Sequence, residues 1–293
     1  MSLERIVVST DFTEPSERAV DVTRRLATAL SSNVSLVHVY DPIPLGPAVS
    51  YPATIWAGDD IGKQLAHEAT QLLKEVGEAR LGGIEWSSQA LAAQNPAHGI
   101  CEHAEKDQAD LVVVGTHGRT GLSHLLLGSV AERVLRHAPC SVLAVRPSVT
   151  AATFPRRIVV ATDFSPASQG AIRDAKMLAE AFDAQLHLVH VYDASSREAL
   201  IDEAYASLKS VESPITSALV KMRDEELGGR GDVTILGEAN AAVAITDFAN
   251  DKEADLIVVG THGRTGLSRL LIGSVAEKTV RLSSVAVWVA RGQ

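Results

Sequence analysis

Short runs rich in valine and isoleucine alternate along this chain with longer stretches whose apolar residues return every three to four positions. These two periods predict strands and amphipathic helices in turn. In the first part of the chain Ile6–Ser9, Val34–Val39, Ile84–Leu91, Leu111–Gly115 and Val142–Val145 read as strands. Helices are expected after Thr13, with Leu26 and Leu30 one turn apart, and over Lys63–Leu81, Pro96–Lys106 and Val130–His137. Pro42–Asp60, broken by Pro44, Pro47 and Pro52, reads as a surface loop. Such alternation implies a parallel sheet with right-handed crossovers and helices on both faces. A ligand is then expected outside the carboxyl ends of the strands, where the strand order reverses.

The pattern occurs twice. RIVVSTDFTEPSERAV at Arg5–Val20 returns as RIVVATDFSPASQGAI at Arg157–Ile172, and LVHVYD at Leu36–Asp41 returns at Leu188–Asp193. DLVVVGTHGRTGLSHLLLGSVAERV at Asp110–Val134 returns as DLIVVGTHGRTGLSRLLIGSVAEKT at Asp255–Thr279. This is a tandem duplication. A chain of 293 residues accommodates two domains, expected at 1–147 and 155–293, with Pro147–Pro155 as linker. In the second copy Ser165-Pro166 opens a helix carrying Ala171, Ala175, Leu178 and Phe182 at helical spacing, and Gln185–Val191 is a strand. Arg197–Leu208 reads as helix, and Pro214 is expected to open another that runs to Leu227. In the closing run, Val285, Val287 and Val289 alternate with Ala286, Trp288 and Ala290.

The candidate chemistry lies in the repeated glycine segment. An apolar strand runs out into Gly115, then Gly118, then Gly128-Ser129, matched by Gly260, Gly263 and Gly273-Ser274. Glycines permit positive φ and close approach by a ligand, so that successive N–H groups can point at one anion. Ser129-Val130-Ala131-Glu132 and Ser274-Val275-Ala276-Glu277 have the spacing of a capping box, which predicts helices from Val130 and Val275. Their N-termini offer unpaired donors to phosphate. The alternative is that the glycines serve tight turns and the serines only cap helices. Asp11 and Asp163 follow the first strand of each copy. If the first and fourth strands are neighbours, each carboxylate faces the glycine segment across one crevice, where it can accept from ribose hydroxyls or an adenine amino group. Its other reading is a cap for the next helix.

A formal charge of −9 argues against general affinity for nucleic acid or an anionic membrane, since no cationic excess is present to release counterions. Cys101 and Cys140, the two cysteines, lack metal-ligand spacing and suit core packing. No run reaches membrane-spanning length, and the opening MSLERIVVSTD has no long apolar region, so a reducing cytoplasm is the expected location.

Both halves resemble the universal stress protein family, in its nucleotide-binding branch, through the TDF opening, the HV closing the second strand and G-x2-G-x9-G-[ST], each present twice. The resemblance implies two tandem Rossmann-like domains of the adenine nucleotide α-hydrolase-like kind. Each is expected to be a five-stranded parallel sheet of order 3-2-1-4-5 with ATP at the switch point. It implies that Asp11 and Asp163 contact the nucleoside and that the backbone of Val39 and Val191 contacts adenine. Gly115, Gly118, Gly128, Ser129 and Val130, with Gly260, Gly263, Gly273, Ser274 and Val275, are assigned to phosphates and ribose. Family dimers pair through their last strands, so this chain resembles such a dimer fused head to tail, with association of two chains left open. Ser283-Ser284 is read as standing where the first copy has Pro139-Cys140, a departure that bears on the geometry of that edge.

No Walker A lysine motif or GxGxxG fingerprint is present, which argues against a P-loop ATPase or a dinucleotide dehydrogenase. The expected function is a nucleotide-responsive regulatory protein of the stress response, binding ATP, or ADP or AMP, with or without magnesium. Occupancy would alter a surface read by a protein partner of unknown identity. Slow ATP hydrolysis or self-phosphorylation is the second reading, with Arg119 and Arg264, and His117 and His262, as candidate charge clamps in the loops. A scaffold with vestigial sites is the third. His38 and His190, flanked by valines, are expected to be satisfied strand-end histidines.

Overall fold

The structure is a computed structural model, and it describes residues 3–42, 58–116, 127–193, 208–261 and 272–291. Ten strands form one sheet in the order β3-β2-β1-β4-β5-β10-β9-β6-β7-β8. The first half supplies β1 (Arg5–Ser9), β2 (Asn33–Tyr40), β3 (Trp86–Ala92), β4 (Leu111–Gly115) and β5 (Ser141–Val145). The second supplies β6 (Arg157–Ala161), β7 (Gln185–Tyr192), β8 (Asp232–Gly237), β9 (Leu256–Gly260) and β10 (Ala286–Ala290). Within each half all pairings are parallel and the order is the expected 3-2-1-4-5. Strand β1 registers Ile6 against Val34 on one side and Leu111 on the other. The first and fourth strands are therefore neighbours, and their chains depart to opposite sides of a crevice.

Period-two alternation sorts each strand between two cores. Ile6, Val8, Leu111 and Val113 enter one apolar cluster, while Val7, Val112 and Val114 enter the other. Helices α1 (Glu14–Leu30), α2 (Gly58–Arg80), α5 (Pro166–Phe182) and α6 (Leu208–Glu226) cover the first face, burying residues such as Leu26, Leu73, Leu178 and Leu219. Helices α3 (Pro96–Lys106), α4 (Ser129–His137), α7 (Ala241–Asp251) and α8 (Ser274–Leu282) cover the second, with Ile100, Val134, Ile245 and Val280. Near-continuous Val, Ile and Leu in the strands reflects burial on both faces.

The halves join by the one antiparallel pairing described, β5 with β10, registering Leu143 against Trp288 and Val142 against Val289. Both cores run through this seam: Trp288 is fully buried in one, and Val287 and Val289 in the other. Two arginines cross it, the buried Arg146 and the half-buried Arg291. Arg146 donates from Nη2 to the carbonyls of Val280 and Arg281 at the end of α8, and Arg291 donates from Nη2 to the carbonyl of Arg136 in α4 at 3.0 Å. Each half thus supplies a cation to the carboxyl end of the other's helix, where orphan carbonyls and the helix dipole favour it. A ring of charges adds to this. Arg136 lies 3.2 Å from Glu132 and 3.0 Å from Glu277, and Arg281 lies 2.9 Å from Glu132 and 3.2 Å from Glu277.

Two expectations are corrected here. Helix α6 is already formed at Leu208, so Pro214 lies inside it instead of opening it. A proline costs one i to i−4 bond there, which a helix packed through Leu219 and Leu227 tolerates. The strands also show that β10 opens at Ala286 where β5 opens at Ser141, so Ser283-Ser284 matches Ala138-Pro139, and Val285 matches Cys140. Ser283 closes its own turn there by donating to the carbonyl of Val285 at 2.9 Å. Residues 197–207 of the helix expected before Pro214 lie outside the described residues, as does most of the loop expected at Pro42–Asp60.

Candidate functional site

The turn after β1 is built from the side chains of the TDF segment. Phe12 takes a left-handed φ of 63°, an expensive conformation for a bulky side chain. Local bonds hold it: its N–H donates to Thr10 Oγ1 at 3.0 Å, and that hydroxyl meets Ser16 Oγ at 3.0 Å. The Phe12 ring lies 4.4 Å from the ring of His38, whose Nδ1 is 2.7 Å from the Thr10 carbonyl. A carbonyl accepts only, so Nδ1 carries the proton. Asp11 is oriented by the same turn, its Oδ1 accepting from the Thr13 N–H at 3.2 Å and the Thr13 hydroxyl at 2.5 Å. The second half repeats this construction. Phe164 also has φ 63°, His190 Nδ1 is 2.8 Å from the Thr162 carbonyl, and Asp163 Oδ1 accepts from the Ser165 N–H at 3.0 Å.

Across the crevice, the glycines at the strand ends have a packing role of their own. Gly115 and Gly260 are not in the left-handed region; a Cβ on Gly115 would lie 3.2 Å from the Pro15 carbonyl oxygen, and one on Gly260 only 2.8 Å from that of Ala167. The end of the fourth strand packs against the start of the first helix, and that contact requires glycine. Gly128 donates to the Thr116 carbonyl at 2.8 Å and itself takes the N-cap position of α4.

The capping box is therefore not formed: Ser129 and Ser274 are the first helical residues, and neither Gly128 nor Gly273 makes a side-chain cap. Glu132 and Glu277, which the box would bring back to the N-cap, are held by Arg136 and Arg281 across the seam. Charge pairing with a distant segment outcompetes the local box. The hydroxyl of Ser129 thus has no partner among the described residues.

Asp11, Val39, Gly115, Gly128, Ser129 and Val130 all line one cavity of about 650 Å³ at the carboxyl ends of β1, β2 and β4. That volume lies within the range of small-molecule and cofactor sites. Its walls place carboxylates of Asp11, Asp41 and Glu68 near β1, β2 and α2, and the first N–H groups of α4 on the other side of β1. Among the described residues no lysine or arginine lines it. In the second half Asp163, Val191, Gly260, Gly273, Ser274 and Val275 hold the corresponding places after β6, in β7, at the end of β9 and at the start of α8. Gly118, Arg119, Gly263 and Arg264, with His117 and His262, lie outside the described residues.

Sequence reasoning missed the wall formed by α2, where Leu65, Glu68, Ala69 and Leu72 face the cavity. Their helical spacing was visible, but an apolar stripe looks the same whether it covers a core or a cavity. Leu72 is 42% exposed, unlike the buried Leu73 beside it.

The sequence model of the universal stress protein family matches residues 2–146 and again residues 155–291. The chain belongs to that family. A universal stress protein of Methanocaldococcus jannaschii is 38% identical over 49% of this chain and 82% of its own length. One from Mycobacterium tuberculosis is 28% identical over 98% of this chain and 96% of its own, so the tandem arrangement extends to that relative. Among solved structures, a universal stress protein from Archaeoglobus fulgidus superposes over the whole of both chains with a TM-score of 0.69 at 20% identity, which shows the shared fold. No helix among the described residues of this universal stress protein is long and apolar enough to cross a membrane.

Proposed function

We propose that each half of this universal stress protein binds an adenine nucleotide, with ATP the first candidate, and that the chain acts as a nucleotide-responsive regulator. The observation that carries this is the convergence on one cavity of a carboxylate held by the β1 turn and, at the start of α4, N–H groups and a Ser129 hydroxyl that have no partner among the described residues. Such an arrangement suits a ligand with hydroxyl and amino donors at one end and an anionic tail at the other. Asp11 and Asp163 orient the nucleoside, Val39 and Val191 meet the base through their backbone, and Ser129 and Ser274 with the helix starts receive phosphate. The cavity size and the donor set fit a nucleotide; the loop residues Gly118, Arg119, Gly263 and Arg264 complete the phosphate side in this proposal. A protein partner reads the surface that occupancy changes.

Calorimetric titration of nucleotide-stripped protein with ATP tests this. Saturable binding is expected, weakened when Gly118 and Gly263 are replaced by valine. Absence of binding, or equal affinity in the double variant, refutes the proposal.

A further inference from the structure

The two candidate sites share most of their lining residues. The end of β2 and the start of α4 recur residue for residue around Val39 and Val191, and Ser129 and Ser274, and the β1 turn keeps Thr10, Asp11 and Phe12 as Thr162, Asp163 and Phe164. The first half departs at Ser9 and Pro96, which become Ala161 and Ala241, and along the whole face that α2 turns to the cavity. Helices α2 and α6 can be matched through their anchors. Leu73 and Leu219 are fully buried in the same core, and Leu81 and Leu227 close the two helices by bonding back to Gly77 and Arg223. Counting back equally from Leu73 and Leu219 sets Glu68 against Pro214, Ala69 against Ile215 and Leu72 against Ala218. The first site therefore carries a carboxylate where the second carries a proline.

The place of Glu68 decides what it meets. In the order β3-β2-β1-β4, β2 and α2 lie on the opposite side of β1 from β4 and α4. A nucleotide with phosphate at the start of α4 and ribose at Asp11 directs its base towards Tyr40, Asp41 and Glu68. Gln64 donates to Glu68 Oε1 at 3.0 Å, which steadies the side chain and leaves Oε2 without a partner among the described residues. A carboxylate oxygen accepts and cannot donate, so it attracts an amino group and repels a carbonyl.

We propose, building on the nucleotide-binding reading above, that Glu68 is a specificity-determining residue. The two sites then differ: the first selects more strongly for a base bearing an exocyclic amine, and the second, with Pro214 in place of Glu68, keeps only the aspartate that both halves share, Asp41 in the first and Asp193 in the second. Because Glu68 is solvent-exposed, the selectivity is modest, about tenfold instead of the thousands a buried donor–acceptor pair gives.

ATP and ITP, which differ by an amine against a carbonyl on the base, are the probes, and their dissociation constants are measured by calorimetry. With the second site closed by Gly263→Val, the ATP-over-ITP ratio is expected to exceed by about tenfold the ratio found with the first site closed by Gly118→Val. Glu68→Leu should bring the first ratio down to the second while leaving ATP binding measurable. Comparing the unsubstituted chain with Glu68→Leu alone reads the same effect without closing either site. Equal ratios at the two sites, or a ratio unmoved by Glu68→Leu, overturns the specificity role and leaves nucleotide binding intact. Binding of neither nucleotide by the unsubstituted chain overturns both.

Discussion

Asp174 is the test of how the seam between the halves is held. It lies on α5, 6% exposed, and its Oδ2 accepts from the Trp288 indole N–H at 2.8 Å and from Ser141 Oγ at 3.4 Å. Ser141 belongs to the first half, Asp174 and Trp288 to the second, so the carboxylate sits where the two meet. Burial raises its pKa above the ordinary value, outweighing donation from Trp288 and Ser141 and the nearby charge of Arg173. An acid whose folded pKa is raised binds its proton more tightly in the native state. Its burial penalty is absent below the unfolded value, and stability falls as pH rises through the folded value. Asp174→Asn keeps an acceptor for the indole and gives Ser141 a donor while removing the buried charge. The variant is expected to be more stable than the parent at neutral pH by about 1–2 kcal/mol, at the lower end of gains seen when buried charges are replaced. With a urea slope of about 3 kcal/mol per molar for a chain of this size, the midpoint should rise by about 0.5 M.

Trp288→Phe supplies the second side of a cycle. In the parent it removes a hydrogen bond to a charged acceptor, about 1.5–3 kcal/mol, and in the Asp174→Asn background only a neutral one, about 1 kcal/mol. A coupling of about 1 kcal/mol follows. Urea titrations of the four proteins at pH 7, repeated at about pH 3, below the ordinary carboxylate value, where the parent and Asp174→Asn should converge, provide the measurement. A variant less stable than the parent at pH 7, or a difference independent of pH, would refute the account of a seam that buries a charge at a cost.

The close contact at Gly260 predicts that Gly260→Ala destabilises by about 1–3 kcal/mol, since the added methyl meets backbone that cannot yield. Gly82→Ala, where a Cβ meets nothing within 4 Å, should be neutral or slightly stabilising in the same thermal melts. The charge ring on α4 and α8 is partly exposed, so Arg136→Ala and Arg281→Ala should each cost about 0.5–1 kcal/mol in low salt and much less in about 1 M salt; a salt-independent loss would contradict this. The Cys101 and Cys140 thiols are pushed up to about 11 and about 12 by burial, against the field of Arg291. Both should react with a thiol reagent at pH 8 only after unfolding, and rapid stoichiometric reaction in the native protein would show the burial to be misjudged.

Most of the architecture was legible because it is written in local periods. The apolar run of β4, the regular valines of β10, and the helical stripes of α1 and α5 each reflect a face that must be buried wherever the element ends up. The candidate site was legible through duplication, since Asp11, Gly115 and Ser129 return at Asp163, Gly260 and Ser274 among residues that vary. Local spacing failed where a distant partner intervened. Ser129 to Glu132 has the form of a capping box, but Arg281 draws Glu132 away. Nor does local spacing show the packing demand on Gly260, which comes from the carbonyl of Ala167.

The order of the residues alone determined two similar halves, alternating strands and helices, and the positions where a carboxylate and a glycine-bearing segment recur, because these depend on what lies within a few residues along the chain. Tertiary structure alone decided that β5 meets β10 antiparallel, that Arg146 and Arg291 cross to the opposite half, and that α2 brings Glu68 to the wall of the cavity. Those outcomes depend on which surfaces meet in space, and segments far apart along the chain carry no mark of one another until packing brings them into contact.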